Sequence, residues 1–331
     1  MRCAVIGGGA WGTALADLLA RGHHTPMLWA REPDVVEQVN TAHANPRFLP
    51  GADLHHGVRA SGDMSEVLSG AELVLYVAPS HVLREVVRAG AHAVAGDATL
   101  AVATKGIEPE TLRLMTDVVS EEVARRPVVG VSGPSFALEV VRCQPTAVVA
   151  ASRSLQAAGL VQRALSSPVF RVYTNDDVTG VELGGALKNV MAVATGIAEG
   201  LGLGLNSRAA LITRGLAEIT RLGVALGARP GTFAGLAGIG DLVLTCTGAL
   251  SRNRAVGVEV GQGRSLHDVL AATESVAEGV RNTRSTVALA QRAAVDMPIA
   301  TAVHRVLFEG QPPRDAITEL MTRELRAERD D

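Results

Sequence analysis

Apolar and polar residues along the first half of the chain fall into short alternating blocks. Residues 2–6 (RCAVI) are an apolar run that stops at Gly7, the pattern of a strand buried on both faces. Residues 13–21 read as a helix that ends at Gly22, and a second apolar run covers 26–30. Strand, glycine turn, helix and strand therefore fit within about thirty residues, the length of one βαβ unit. The same rhythm predicts strands over 72–78, 99–104, 127–131 and 146–151, with helices over 80–89 and 109–124. Short apolar strands alternating with helices imply a mostly parallel, doubly wound sheet.

Near Thr179 the rhythm changes. The segments become long, alanine-rich and helical, at 181–199, 207–226 and 283–293, and strand-like runs largely vanish. The change predicts two domains, residues 1–178 carrying the sheet and residues 179–331 all-helical, and 331 residues suffice for both.

The first turn, Gly7-Gly8-Gly9-Ala10-Trp11-Gly12, has the GxGxxG spacing between a strand and a helix. Gly7 permits the tight turn, Gly9 lets the backbone approach a pyrophosphate, and Gly12 allows close helix–strand packing. The helix start adds free N–H groups and a positive dipole end. This context makes the first domain a Rossmann-like dinucleotide-binding domain. NAD-selective sites place an acidic residue at the end of the second strand. Here Ala30 stands there with Arg31 beside it, which favours NADP through a 2′-phosphate; the alternative is a solvated Arg31 with Glu32 as the ribose ligand.

Composition narrows the partners. A formal charge of −3 argues against non-specific nucleic-acid binding, which calls for a basic surface. Three dispersed cysteines, Cys3, Cys143 and Cys246, support neither a disulfide framework nor a zinc site. No uninterrupted apolar stretch approaches the ~20 residues that span a bilayer. The apolar N-terminus is broken by the glycine cluster and Asp17, unlike a secretory signal, so a cytoplasmic protein is expected. His23-His24 and His55-His56 point in different directions within each pair and read as loop residues rather than metal ligands.

Two clusters in the second half carry candidate chemistry. Gly184-Gly185-Ala186-Leu187-Lys188-Asn189 places a cation among apolar residues, where it either snorkels to the surface or is used. Desolvation would lower its pKa toward neutrality and prepare it for acid–base work. Gly238-Ile239-Gly240-Asp241-Leu242 puts a carboxylate beside an apolar run, where it needs a partner. Thr245 follows, and then Ser251-Arg252-Asn253, a fork of donors suited to a phosphate or, alternatively, a solvated turn with a helix cap.

The stretches GGGAWGTALA, TKG, SGPSFA, GVELGGALKNV, ALITRGLAEITRLG, GDLVLTCTGALSRNR and AEGVRNT, in this order, resemble the bacterial-type NAD(P)-dependent sn-glycerol-3-phosphate dehydrogenases. The resemblance implies reversible reduction of dihydroxyacetone phosphate to sn-glycerol 3-phosphate, feeding glycerophospholipid synthesis. It implies that Lys188 accepts the proton in oxidation and donates it in reduction, with Asp241 and Lys105 beside it. Lys105, Gly133, Ser135, Lys188, Asn189, Asp241, Thr245, Ser251, Arg252 and Asn253 would surround the substrate. Besides the glycine turn, Ala10, Trp11, Arg31, Lys105, Ala137, Arg252, Val276 and Glu278 would contact the NADP or NAD cofactor. The lysines supply the positive charge, so no metal is expected, and a homodimer is. Leu138 and Leu205-Asn206-Ser207 depart from the family pattern without touching the proposed proton-transfer group.

Two other readings are weaker. A 3-hydroxyacid or ketopantoate-type dehydrogenase acts on carboxylates, which Ser251-Arg252-Asn253 suits less well. A non-catalytic dinucleotide sensor would have no need to keep Lys105, Lys188 and Asp241 together.

Overall fold

The computed structural model describes residues 1–123, 126–272, 277–325 and 327–328. Its sheet has eight strands: β1 (Arg2–Ile6), β2 (Thr25–Trp29), β3 (Arg59–Ser61), β4 (Leu73–Tyr76), β5 (Thr99–Val102), β6 (Val128–Ser132), β7 (Thr146–Ala151) and β8 (Phe170–Asn175). They are arranged β3-β2-β1-β4-β5-β6-β7-β8, all neighbours parallel except the antiparallel β6–β7 pair. β1 lies between β2 and β4, with Cys3 level with Pro26 on one side and Leu73 on the other. The winding direction reverses there, and the crevice beyond the C-terminal ends of β1 and β4 is where such sheets bind ligands. Helices cover both faces, so β1, β4 and β6 are apolar almost throughout.

The sequence pattern places six of these strands to within two residues at each end. It misses β3 and β8. Only the C-terminal part of the expected 109–124 helix forms, at Met115–Glu122. The Ile107–Leu114 bridge and hydrogen bonds such as Glu108 N–H to the Arg113 carbonyl at 3.0 Å lead into it.

Beyond β8 the described chain is helical. The helix Val178–Gly200 is the axis of this half, with every residue from Gly180 to Ala198 buried. A helix this apolar all round belongs in a core. The helices Leu205–Ala225, Asp241–Thr247, Arg252–Gly261, Glu278–Arg292 and Pro298–Phe308 pack around it. Helix Arg252–Gly261 crosses it at backbone contact: a Cβ on Gly196 would lie 2.1 Å from the Arg254 carbonyl oxygen, and one on Gly257 2.3 Å from that of Val193. Among the described residues no single helix is long and apolar enough to cross a membrane.

The long helix also meets the sheet. A Cβ on Gly185 would lie 2.4 Å from the Ser132 hydroxyl at the end of β6 and 3.4 Å from the stem of Lys105 beyond β5. This contact brings residues from the strand ends and from the helical half into one crevice.

Candidate functional site

The glycine turn leaves β1 at the switch point. Gly7 has φ +134°, open to glycine and few others, and a Cβ there would strike the Ala78 backbone N at 2.9 Å. A Cβ on Gly12 would lie 1.9 Å from the Gly7 carbonyl oxygen, so the helix Ala10–Arg21 sits directly on the turn. At Gly9, by contrast, a Cβ would meet nothing within 4 Å. The first intrahelical bond is Thr13 N–H to the Gly9 carbonyl at 2.9 Å, which leaves the N–H groups of Ala10, Trp11 and Gly12 without helical partners. Among the described residues no side chain caps this end, and no acidic residue stands in its first turn. The Trp11 indole Nε1 is buried and has no partner among the described residues. Open backbone, unpaired donors and a positive helix end fit a pyrophosphate.

At the other side of the crevice two ammonium groups share one carboxylate. Asp241, with no exposed surface, opens the helix Asp241–Thr247 directly after a π-turn in which Gly240 N–H reaches the Gly235 carbonyl at 3.2 Å. Lys105 donates to Asp241 Oδ2 at 2.7 Å, to the Gly133 carbonyl at 2.8 Å and to Ser135 Oγ at 3.4 Å. Lys188 donates to Asp241 Oδ1 and, at 2.7 Å, to Thr245 Oγ1. The Thr245 hydroxyl donates its own proton to the Asp241 carbonyl at 2.6 Å, so its lone pair is turned to the lysine.

An ammonium has three N–H donors. Lys105 has three partners, whereas Lys188 has two among the described residues and keeps one N–H unassigned. Lys188 does not snorkel; it is 6% exposed. Burial pushes its pKa down to about 8, Asp241 opposing the fall and Lys105 adding to it.

The neighbouring residues interlock. Asn253 Nδ2 donates to Asn189 Oδ1 at 2.9 Å, and Gly279 N–H donates to Asn253 Oδ1 at 2.9 Å. Ser251 caps the helix Arg252–Gly261, its hydroxyl accepting from Arg254 N–H at 3.3 Å. Arg252 begins that helix and is exposed. Ala137 begins the short helix Ala137–Val141, just beyond Ser135. Arg31 stands at the solvent side of the β2 end, paired with Glu32 at 2.8 Å. Glu278 starts the helix Glu278–Arg292 and accepts from Ser80 N–H at 3.0 Å and from Ser80 Oγ at 2.6 Å. Val276 lies outside the described residues.

Two members of this cluster escape sequence reasoning: Ser80, whose partner is 198 positions away, and Asn282, buried between the strand ends and the long helix. One signal for the centre was available in plain sight. Lys105 and Lys188 are the only lysines among 31 basic residues, the remainder being arginine, and both converge on Asp241. An ammonium can shed its proton near neutrality where a guanidinium cannot.

Comparison with known proteins identifies relatives over nearly the whole chain. Family models described as the N-terminus and the C-terminus of NAD-dependent glycerol-3-phosphate dehydrogenase match residues 2–158 and 177–318. The chain is 53% identical over 329 residues to glycerol-3-phosphate dehydrogenase [NAD(P)+] of Geobacter metallireducens, covering 98% of each. It is 50% identical over 330 residues to the enzyme of the same name from Geobacter sp. strain M21, covering 99% of this chain and 98% of the relative. The crystal structure of glycerol-3-phosphate dehydrogenase from Coxiella burnetii superposes with a TM-score of 0.94 at 42% identity, over 97% of this chain and 98% of that one. The chain belongs to the NAD-dependent glycerol-3-phosphate dehydrogenase family.

Proposed function

We propose that this protein catalyses the reversible, NAD(P)H-dependent reduction of dihydroxyacetone phosphate to sn-glycerol 3-phosphate, with Lys188 as the proton-transfer group. The observation that carries the assignment of Lys188 is its one unassigned N–H beside a fully bonded Lys105. Gly7, Gly9, Ala10, Trp11 and Gly12 would hold the dinucleotide at its pyrophosphate, and Arg31, Ala137, Arg252, Val276 and Glu278 would line the rest of it. A bound nicotinamide supplies the hydride for the carbonyl carbon and takes it back in the reverse direction.

Lys188 gives its free proton to the carbonyl oxygen as negative charge develops there. Asp241 and Thr245 hold the amine in place throughout, and Lys105 stabilises the charge from the other carboxylate oxygen. In the oxidative direction the neutral amine receives the hydroxyl proton, which its lowered pKa permits near neutral pH. Arg252 and Asn253, with the Ser251 turn behind them and Gly133, Ser135 and Asn189 beside them, would take the substrate phosphate. Binding that remote group orients the reacting carbon.

The two-domain division at 178/179 belongs to this reading, supported by the end of β8 at Asn175 and the start of the long helix at Val178. A role in supplying glycerophospholipid synthesis, a homodimeric state, a cytoplasmic location and a preference for NADP through Arg31 complete it. The test is turnover of dihydroxyacetone phosphate with NADPH and with NADH, followed by the absorbance of the reduced nicotinamide, with Lys188→Ala as control. Turnover abolished by that substitution supports the reading; dinucleotide binding without turnover of this substrate would sink it.

A further inference from the structure

Asn282 lies in the second turn of the helix Glu278–Arg292 and is 1% exposed. Its side-chain amide faces two segments at once. Asn282 Oδ1 accepts from Ile107 N–H at 3.4 Å, and Asn282 Nδ2 donates to the Ala186 carbonyl at 3.3 Å. Ile107 closes the turn Lys105-Gly106-Ile107, and Ala186 is two residues before Lys188. The turn has little room to shift. A Cβ on Gly106 would lie 2.5 Å from Ser80 Cβ and 3.3 Å from Asn282 Oδ1, while Ser80 is held by Glu278, one helical turn before Asn282. One helix face thus grips both lysine-bearing segments from behind, without touching either ammonium.

We infer that Asn282 is a positioning residue for this reaction: its amide ties the Lys105 turn to the Lys188 helix and so fixes both ammonium groups on Asp241. The role in catalysis rests on the proposed function, whereas the placement of the lysine pair does not. The charged and titratable groups acting on Lys188 are Asp241 and Cys246 from the helix Asp241–Thr247 and Lys105 from beyond β5. If the Lys105 turn loosens, Lys188 loses a repelling neighbour and gains a larger share of Asp241. Both changes favour its protonated form.

The two-lysine composition makes this measurable without turnover. Protein grown with carbon-13 Cε-labelled lysine gives two lysine side-chain resonances, and a pH titration follows each one. In the wild type the Lys188 resonance should titrate near pH 8. Asn282→Ala, which removes both halves of the bridge, should move that midpoint upward. It should also lower kcat by about ten- to a hundredfold, as misplaced catalytic groups do, with KM for the dinucleotide within about twofold. Asn282→Leu also removes both halves of the bridge while keeping the side-chain volume and adding no charge, so it should move the midpoint in the same direction, and it serves if the alanine variant does not fold. Unchanged midpoints and kcat in the folded variants would overturn the inference. So would a loss spread equally over kcat and both KM values with the midpoint unmoved, the mark of a merely structural residue. A shifted midpoint in a protein whose wild type fails to reduce dihydroxyacetone phosphate would sink the proposed reaction and leave the positioning of the lysine pair standing.

Discussion

Lys188 donates to the carboxylate of an Asp241 that has no exposed surface, so the carboxylate cannot exchange the lysine for water. Removing one member of a buried pair costs more than the pair contributes, because the survivor stays buried and unmatched. Here two ammonium groups would survive. In Asp241→Asn the amide oxygen can accept from one lysine, but its NH2 then faces the other with donor against donor. The expected outcome is a loss of about 3–5 kcal/mol of stability, read by denaturant unfolding. A fall in kcat of about a hundredfold or more should accompany it, as for loss of a preorganised charge in a catalytic site. Wild-type stability in this variant would show that the two lysines are neutralised by some other route.

The lowered pKa of Lys188 fixes the sign of the pH dependence. Reduction needs the ammonium, so its kcat/KM should fall as pH rises through about 8, where Lys188 loses its proton. Oxidation needs the free amine and should rise through the same region. Opposed limbs meeting near pH 8 in the two directions, both absent in Lys188→Ala, are the expected result. Parallel limbs in both directions would assign the titration to binding rather than to proton transfer.

The dinucleotide turn was legible in the sequence because it is written locally, and Lys188 and Asp241 stood out as charges beside apolar runs, whereas Lys105 and the meeting of the three came only with the family resemblance. The glycine spacing fixes the turn, and a charged residue inside an apolar run is visible by itself. What escaped depends on distant contacts. β8 alternates buried and exposed residues at the sheet edge, so it lacks the continuous apolar run that marked the inner strands. The helix Arg252–Gly261 contains three valines and two glycines, poor helix formers, and only the cap at its start hints at it in the sequence. It is helical because Gly257 and Gly261 let it cross the long helix at backbone distance, a gain that only the assembled core supplies. Ser80 and Asn282 are ordinary polar residues until the fold brings Glu278 and the Lys105 turn to them.

Arg31 bears on cofactor choice from an unusual position: its side chain is 81% exposed and its only ionic partner among the described residues is the adjacent Glu32. An exposed pair of this kind contributes little to stability, about 0–1 kcal/mol, so the guanidinium is free to leave it for a 2′-phosphate. Arg31→Ala should raise KM for NADPH by about tenfold, the loss of one charge-assisted contact, and change KM for NADH by about twofold or less. Equal effects on the two cofactors would remove Arg31 from the discrimination and point to Glu32 and the ribose.

Glu218 is buried in the helix Leu205–Ala225 and caps the neighbouring helix Pro298–Phe308, accepting from Ile299 N–H at 2.8 Å and Ala300 N–H at 3.3 Å. Burial raises its pKa from 4.5 to about 7, the two N–H donors opposing the rise. Between those values this carboxyl holds a proton in the folded protein that it has released in the unfolded chain. Its contribution to stability therefore declines as pH rises from 4.5 towards 7 and levels off above it. Glu182, buried in the long helix and raised to about 7 in the same way, adds a second contribution of the same sign. Glu218→Gln keeps an acceptor for the helix end and removes the titration, so its unfolding free energy should rise relative to that of the wild type across this interval. A variant with the wild-type slope would mean that Glu218 ionises as easily inside the protein as in water, and that the two N–H donors alone offset its burial.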